Sequence, residues 1–274
     1  EEGRSEVREC CGDYPAVFGW ELGVLETGAD RSIDDVPFAE ITRLLCAAYG
    51  RGAVNTVSWH PQNPESGASA WDGKTSTAVS SILPGGANHA QFRLWLDRLA
   101  GFFVGLKSAD GTCAPVLFRP FHEHTGSGFW WGEAQCTPDE YKALWRFTVE
   151  YLRDVKGVHN LLYVYSPDLY REAEHYTARY PGDAWVDVLG LDAYHRPQDW
   201  DFLSGGERML STLQRLGREH GKPTAFTETG LEGIPDTAWW TRRLLPVIRG
   251  KGLSYVLVWR NAHDRPTHFF GPWH

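Results

Sequence analysis

Phe118–Gly132 reads FRPFHEHTGSGFWWG and overlaps the end of the apolar run Pro115–Arg119, PVLFR. A short apolar, β-branched run that breaks off into His, Glu and aromatic residues has the form of a buried strand opening onto a functional surface. Similar runs recur along the chain: Ala16–Trp20 (AVFGW), Ala53–Trp59 (AVNTVSW), Leu161–Ser166 (LLYVYS), Val186–Asp192 (VDVLGLD), Pro223–Glu228 (PTAFTE) and Ser254–Trp259 (SYVLVW). Most are continuously apolar rather than alternating, as parallel strands covered on both faces require. Helical patterns lie between them. Phe92, Trp95, Leu96, Leu99, Phe102 and Phe103 recur at helical spacing. Thr137-Pro138-Asp139-Glu140 combines a capping hydroxyl, a proline at the first helical position and a capping-box glutamate. A helix around Leu210, Leu213 and Leu216 should end near Gly221, and one around Trp239, Leu244 and Ile248 near Gly250.

Strand–helix alternation of this regularity means a parallel α/β fold, either a doubly wound sheet or a (β/α)₈ barrel. No GxGxxG or GxxxxGK[ST] follows the early strands, which removes the main nucleotide-binding signals. Instead His60, His122-Glu123, Tyr194-His195, Glu228 and Arg260 stand at or just past the ends of separate runs. In a barrel such positions converge on one face. The reading is a single (β/α)₈ TIM-barrel domain over residues 1–274, with seven of its strands visible.

Composition narrows the function. No apolar run approaches the roughly 18 residues of a membrane span, so no membrane partner is expected. A formal net charge of −8 would repel phosphate backbones, so nucleic acid is a poor partner. Tryptophan is abundant, 13 in 274 residues, and its flat face with a polar edge suits sugar rings. The five cysteines (10, 11, 46, 113 and 136) form no CxxC, and buried, unpaired thiols are the expectation.

The chemistry concentrates in two segments. Phe118–Gly132 sets Glu123 among Arg119, His122, His124, Phe129, Trp130 and Trp131, and Ala225–Gly233 (AFTETGLEG) brings Glu228 to the end of another strand. Two carboxylates on separate strand ends can face each other across the barrel, and glycosidic cleavage uses such a pair, one protonated and one ionised. A Glu at a strand end can also do no more than pair with a neighbouring Arg. A His-x-His after a strand equally suits a metallohydrolase barrel, with His195 and Asp264 as further ligands, although that reading leaves Phe129-Trp130-Trp131 without a purpose.

From about residue 13 onward the sequence resembles glycoside hydrolase family 26, in which endo-β-1,4-mannanases predominate. The matching segments are DYPAVFGWELG, VSWHPQNP, FRPFHEHTGSGFWWG, LDAYH, TETG and VWRNA, in that order. The resemblance implies a retaining (β/α)₈ barrel with Glu123 as acid/base after strand 4 and Glu228 as nucleophile after strand 7. It also implies that His60, His122, Tyr194, Trp259 and Arg260 line the sugar at the cleavage point. Arg119, Phe129, Trp130 and Trp131 belong to the same wall, and Trp71, in a Gly/Ser-rich loop, is a further sugar platform. Trp95 and Trp145, on apolar helical faces, are assigned to the core.

Glu123 follows the third visible run and Glu228 the sixth. The barrel is therefore expected to lack its first strand and last helix within this chain, with the natural protein longer at both ends and an open seam between the strands at Ala16 and Ser254. Family members commonly carry Trp where this chain has Gly128, which removes one aromatic face beside Glu123. The implied activity is hydrolysis of internal β-1,4-mannosidic bonds of mannan, glucomannan or galactomannan by a secreted monomer needing no cofactor and no catalytic metal. Manno-oligosaccharides are also implied ligands. The alternatives are the same site acting on xylan or mixed-linkage β-glucan, a non-catalytic mannan-binding protein, and the His-x-His metallohydrolase.

Overall fold

The protein is described by a computed structural model covering residues 5–271 apart from 109, 199 and 263. Its strands are β1 (Val17–Glu21), β2 (Val54–Trp59), β3 (Val116–Pro120), β4 (Leu161–Tyr165), β5 (Val188–Asp192), β6 (Thr224–Thr229) and β7 (Val256–Val258). Each coincides with one of the seven expected runs to within about two residues at either end. The helices are α1 (Glu6–Cys11), α2 (Phe38–Gly50), α3 (Ala78–Ile82), α4 (His89–Val104), α5 (Pro138–Glu150), α6 (Ala173–Thr177), α7 (Phe202–His220) and α8 (Leu245–Ile248).

The strands pair in chain order from β1 to β7, every neighbouring pair parallel. The result is a nearly closed barrel. A cavity of about 780 Å³, lined among others by Phe18, Trp20, Val256 and Leu257, lies between its first and last strands. Two apolar layers hold it together. The larger packs α2, α4, α5 and α7 onto the outside of the strands, and Trp95 and Trp145 lie in it at 4 % and 0 % exposure, as expected. The smaller fills the lower interior with Leu117, Val164, Val188, Ala225 and Tyr255.

Local signals account for the element ends. Thr137 and Glu140 form the anticipated capping box with Pro138 following, and α7 stops at Gly221 in a left-handed conformation. The helix expected around Trp239 is instead a π-turn, Trp240–Leu244, leading into the short α8. Pro246 has no N–H for the carbonyl four residues back, so an unbroken α-helix cannot run through it. The cysteines depart from expectation too: among the described residues there is no disulfide, but only Cys136 is buried, and Cys10 and Cys11 are exposed on α1.

One irregularity matters for function. Leu191 pairs with Phe226, but the next residue, Asp192, pairs with Glu228, and β7 shows the same slip between Phe226 and Thr229. Strand β6 therefore carries one extra residue relative to both neighbours. Such a bulge re-aims a side chain near a strand end, and here it lies at Thr227 and Glu228.

Below the bulge, a Cβ on Gly190 would stand 2.7 Å from both Thr227 Oγ1 and Cγ2 and 2.8 Å from Ser166 Cβ. Gly190→Ala is expected to destabilise the protein by about 1–3 kcal/mol through overpacking of this layer. Urea unfolding should show a lower midpoint with an unchanged slope.

Candidate active site

The upper ends of the strands surround a cavity of about 250 Å³ whose wall includes both glutamates, Glu123 and Glu228. His60, Trp71, His122, Phe129, Tyr194 and Trp259 complete its expected lining, and His195, Arg196, Glu232, His268 and Phe270 extend it.

Glu228 is buried and held on both oxygens. The Arg119 guanidinium binds Oε1, and the Tyr194 hydroxyl donates to Oε2 at 2.5 Å. Burial, followed by the charges of Glu228 and Glu123, pushes the Tyr194 phenol well above its ordinary range, so it remains a donor. Arg119, itself buried, bridges to Asp192 Oδ2 at 2.6 Å and to Ser166 Oγ at 3.1 Å. Thr227 Oγ1 donates to the other Asp192 oxygen at 2.6 Å. Strands β3, β4, β5 and β6 thus contribute to one polar network that ends on the Glu228 carboxylate.

Glu123 has the opposite surroundings. Its backbone φ is +53° and that of Phe121 is +50°, a left-handed region that non-glycine residues seldom occupy. Three hydrogen bonds hold this strained turn: Tyr141 Oη to the Phe121 carbonyl at 2.8 Å, Trp131 Nε1 to the His122 carbonyl at 2.8 Å, and Glu123 N to the Ser166 carbonyl at 2.9 Å. Burial first, then the negative charges of Glu228, Asp192 and Asp168, push the Glu123 carboxyl well above the ordinary carboxylate range, with Arg119 opposing. One carboxylate is held in place by a cation and a phenol while the other retains its proton. That pairing can deliver a proton to a leaving group while a nucleophile attacks.

His60 is fixed from behind. Its Nδ1 lies 2.7 Å from Glu21 Oε2, and its N–H donates to Glu21 Oε1 at 3.0 Å. Burial opposes a charge on Glu21, but the His60 imidazole and the bonds from Ser58 and Gly23 outweigh it and hold the carboxyl below its usual range. This orientation leaves His60 Nε2 for the cleft. Trp71, 54 % exposed, stacks on His60 with ring centroids 5.1 Å apart.

Several expected positions lie elsewhere. Trp131 and Trp130 were assigned to the sugar-facing wall, but both are fully buried and absent from the cavity lining. Their indole N–H groups are used by the fold: Trp131 binds the His122 carbonyl, and Trp130 the Pro61 carbonyl at 3.0 Å. Only Phe129 of that trio reaches the cleft, stacked on Trp131 at 4.5 Å. Arg260 pairs with Asp34 at 2.6 Å and lines the cavity between β1 and β7. Arg119 acts behind the wall, on Glu228. At Gly128 a Cβ would meet nothing within 4 Å, so the space of the usual aromatic is open.

The two histidines of the His-x-His do not converge. His122 faces His60, with ring centroids 4.5 Å apart, whereas His124 is sandwiched between Tyr141 and Tyr165 at 4.4 and 4.7 Å. Among the described residues no three His, Cys, Asp or Glu side chains are grouped to hold a metal ion. Asp192 and Glu21 were missed as site residues, although each ends an apolar strand with a carboxylate, the same signal that marked Glu228.

A sequence model of glycosyl hydrolase family 26 matches residues 2–206. A mannan endo-1,4-β-mannosidase of Bifidobacterium adolescentis is 38% identical over 240 residues, 84% of this chain and 24% of that protein. One of Bacillus subtilis is 31% identical over 242 residues, 85% of this chain and 61% of that protein. The chain thus spans less than two thirds of the length of either relative. Among solved structures, a family 26 β-mannanase from Bacteroides ovatus superposes with a TM-score of 0.96 at 46% identity, covering 100% of this chain and 79% of that one. A modular endo-β-1,4-mannanase from Cellulomonas fimi gives 0.88 at 37% identity, covering 98% and 62%.

Removing Arg119 would strand two buried carboxyls without their cation. Arg119→Met is expected to cost about 3–5 kcal/mol of stability near neutral pH. The loss should shrink as pH falls, because Asp192, whose carboxyl burial pushes well above its ordinary range, then becomes neutral. Urea unfolding at about pH 7 and about pH 4.5 measures both the loss and its pH dependence.

Proposed function

The chain belongs to glycosyl hydrolase family 26, and we propose that it is a retaining endo-β-1,4-mannanase acting by a two-glutamate double displacement. The observation that carries this reading is the opposite setting of the two carboxyls on one cavity wall. Glu228 is bound by Arg119 and Tyr194, and Glu123 is pushed towards its protonated form. The similarity to mannan endo-1,4-β-mannosidases supports the choice of polymer.

In the first step a Glu228 oxygen attacks the anomeric carbon as Glu123 gives its proton to the departing glycosidic oxygen. In the second, the ionised Glu123 takes a proton from water, whose oxygen attacks the same carbon and releases Glu228. Loss of charge on Glu228 in the first step lowers the pKa of Glu123, which prepares it for its change of role. His60 and His122 offer ring nitrogens to sugar hydroxyls, and Trp259, Phe129 and Trp71 offer apolar faces to the rings. A polymer of this kind does not cross a membrane, which supports action outside the producing cell.

Reducing-sugar release should be observed from mannan and exceed that from xylan or lichenan. Preference for either of the latter moves the reading to that polymer, and binding without release makes the protein a mannan-binding module. Glu228→Ala should abolish turnover. Glu123→Ala should lose about 10²–10⁴-fold on mannan but retain the first step on an activated aryl β-mannobioside, whose leaving group needs no proton. Tyr194→Phe removes a hydrogen bond to the ionised nucleophile. The kcat on mannan should fall about tenfold or more. A chelator should leave mannan hydrolysis unchanged.

A further inference from the structure

Asp168 lies just beyond the end of β4 and is not part of the cleft wall, yet it touches the turn that carries Glu123. The Thr125 hydroxyl donates to Asp168 Oδ1, and the Gly126 N–H closes the turn on the Glu123 carbonyl at 3.3 Å. Any Cβ on Gly126 would collide with Asp168 Oδ2, so glycine is required there for the carboxylate to approach. The same turn is tied to β4 through Glu123 N and the Ser166 carbonyl, two residues before Asp168. Since Glu123 has a left-handed φ, the turn does not hold itself and needs anchors on both sides. Tyr141 and Trp131 anchor the residues before Glu123, and Asp168 anchors the residues after it.

We propose that Asp168 is a positioning residue for Glu123: by gripping the Thr125 hydroxyl and packing its carboxylate against Gly126 it holds the strained turn that aims the Glu123 carboxyl into the cleft. The proposal rests on Glu123 being the acid/base. The charged groups facing Glu123 are Arg119 on β3, Asp168 after β4, Asp192 on β5 and Glu228 on β6. Asp168 itself faces Glu133, which is paired with His175 on α6 at 3.0 Å. Burial lifts Asp168 to about 6 against the bond from Thr125. Its negative charge also favours the protonated form of Glu123.

The sign follows directly. Removing a negative neighbour lowers the pKa of Glu123, so activity that needs the protonated acid is lost at lower pH. The experiment is the pH profile of kcat/KM for Asp168→Asn, Thr125→Val and Thr125→Ser, on mannan and on the activated aryl β-mannobioside, with Glu123→Ala alongside. Asp168→Asn should move the basic limb on mannan to lower pH by about half a unit or more and leave the activated substrate within about twofold. Thr125→Val, which loses the grip, should reduce kcat on mannan about tenfold. Thr125→Ser should restore the parent rate. The proposal is overturned if the basic limb of Asp168→Asn coincides with the parent's, or if both substrates slow in equal proportion. If Glu123→Ala also loses the activated substrate, the acid/base assignment itself falls. If Glu123→Ala keeps that substrate while Asp168→Asn shows no shift, only the role of Asp168 falls.

Discussion

The buried guanidinium of Arg119 is the constraint around which the upper barrel is organised. A lone cation in that interior would carry a desolvation cost of several kcal/mol, and it is tolerable only because acceptors from three other strands surround it. Asp192 and Ser166 take one nitrogen, and Glu228 takes another. Arginine suits this better than lysine, since its planar fork reaches two carboxylates at once without losing charge. The β6 bulge follows from the same demand. Without the extra residue, Thr227 and Glu228 would point to opposite faces of β6 by strand alternation. With it, Thr227 binds Asp192 from within while Glu228 meets Arg119.

That cation also creates the difference between the two glutamates. Both lie in one small cavity and each repels the other's ionisation. Arg119 contacts Glu228 directly and reaches Glu123 only through space, as the least of its influences. Glu228 thus has a donor on each oxygen, while burial favours the protonated form of Glu123. Tyr194 reinforces the bias, because the negative charges that raise its own pKa ensure that it donates. The two carboxyls thus sit in electrostatically different surroundings on one wall.

The sequence made the barrel legible because every strand is a compact apolar run and each has a polar or aromatic residue at its upper end. Glu123, Glu228, His60, His122, Tyr194, Phe129, Trp71 and Trp259 were readable for the same reason, and they share the cavity wall. What one dimension hides is which side of a ring is used. Trp130 and Trp131 follow Phe129 immediately, but their indole N–H groups are spent on backbone carbonyls beneath the wall. Arg260, next to the cleft residue Trp259, finds Asp34 instead. Asp192 and Glu21 escaped notice because each sits within a strand pattern rather than in a loop rich in polar residues.

Those buried tryptophans are not remote from the chemistry. The turn at Glu123 combines two left-handed residues with a buried carboxyl on the cavity wall. Such a turn relaxes unless its carbonyls are bound, and water cannot bind them reliably beside a substrate. Large rings solve both problems. Trp131 and Tyr141 exclude solvent and present a single fixed donor each, to the carbonyls of His122 and Phe121. Arg179, buried and donating to the carbonyls of Trp131 and Cys136, fixes the loop on which Trp131 rides. Aromatic content that looked like sugar-binding surface is thus divided between two tasks. Phe129, Trp71 and Trp259 face the cleft, while Trp131 and Tyr141 hold the turn that carries Glu123.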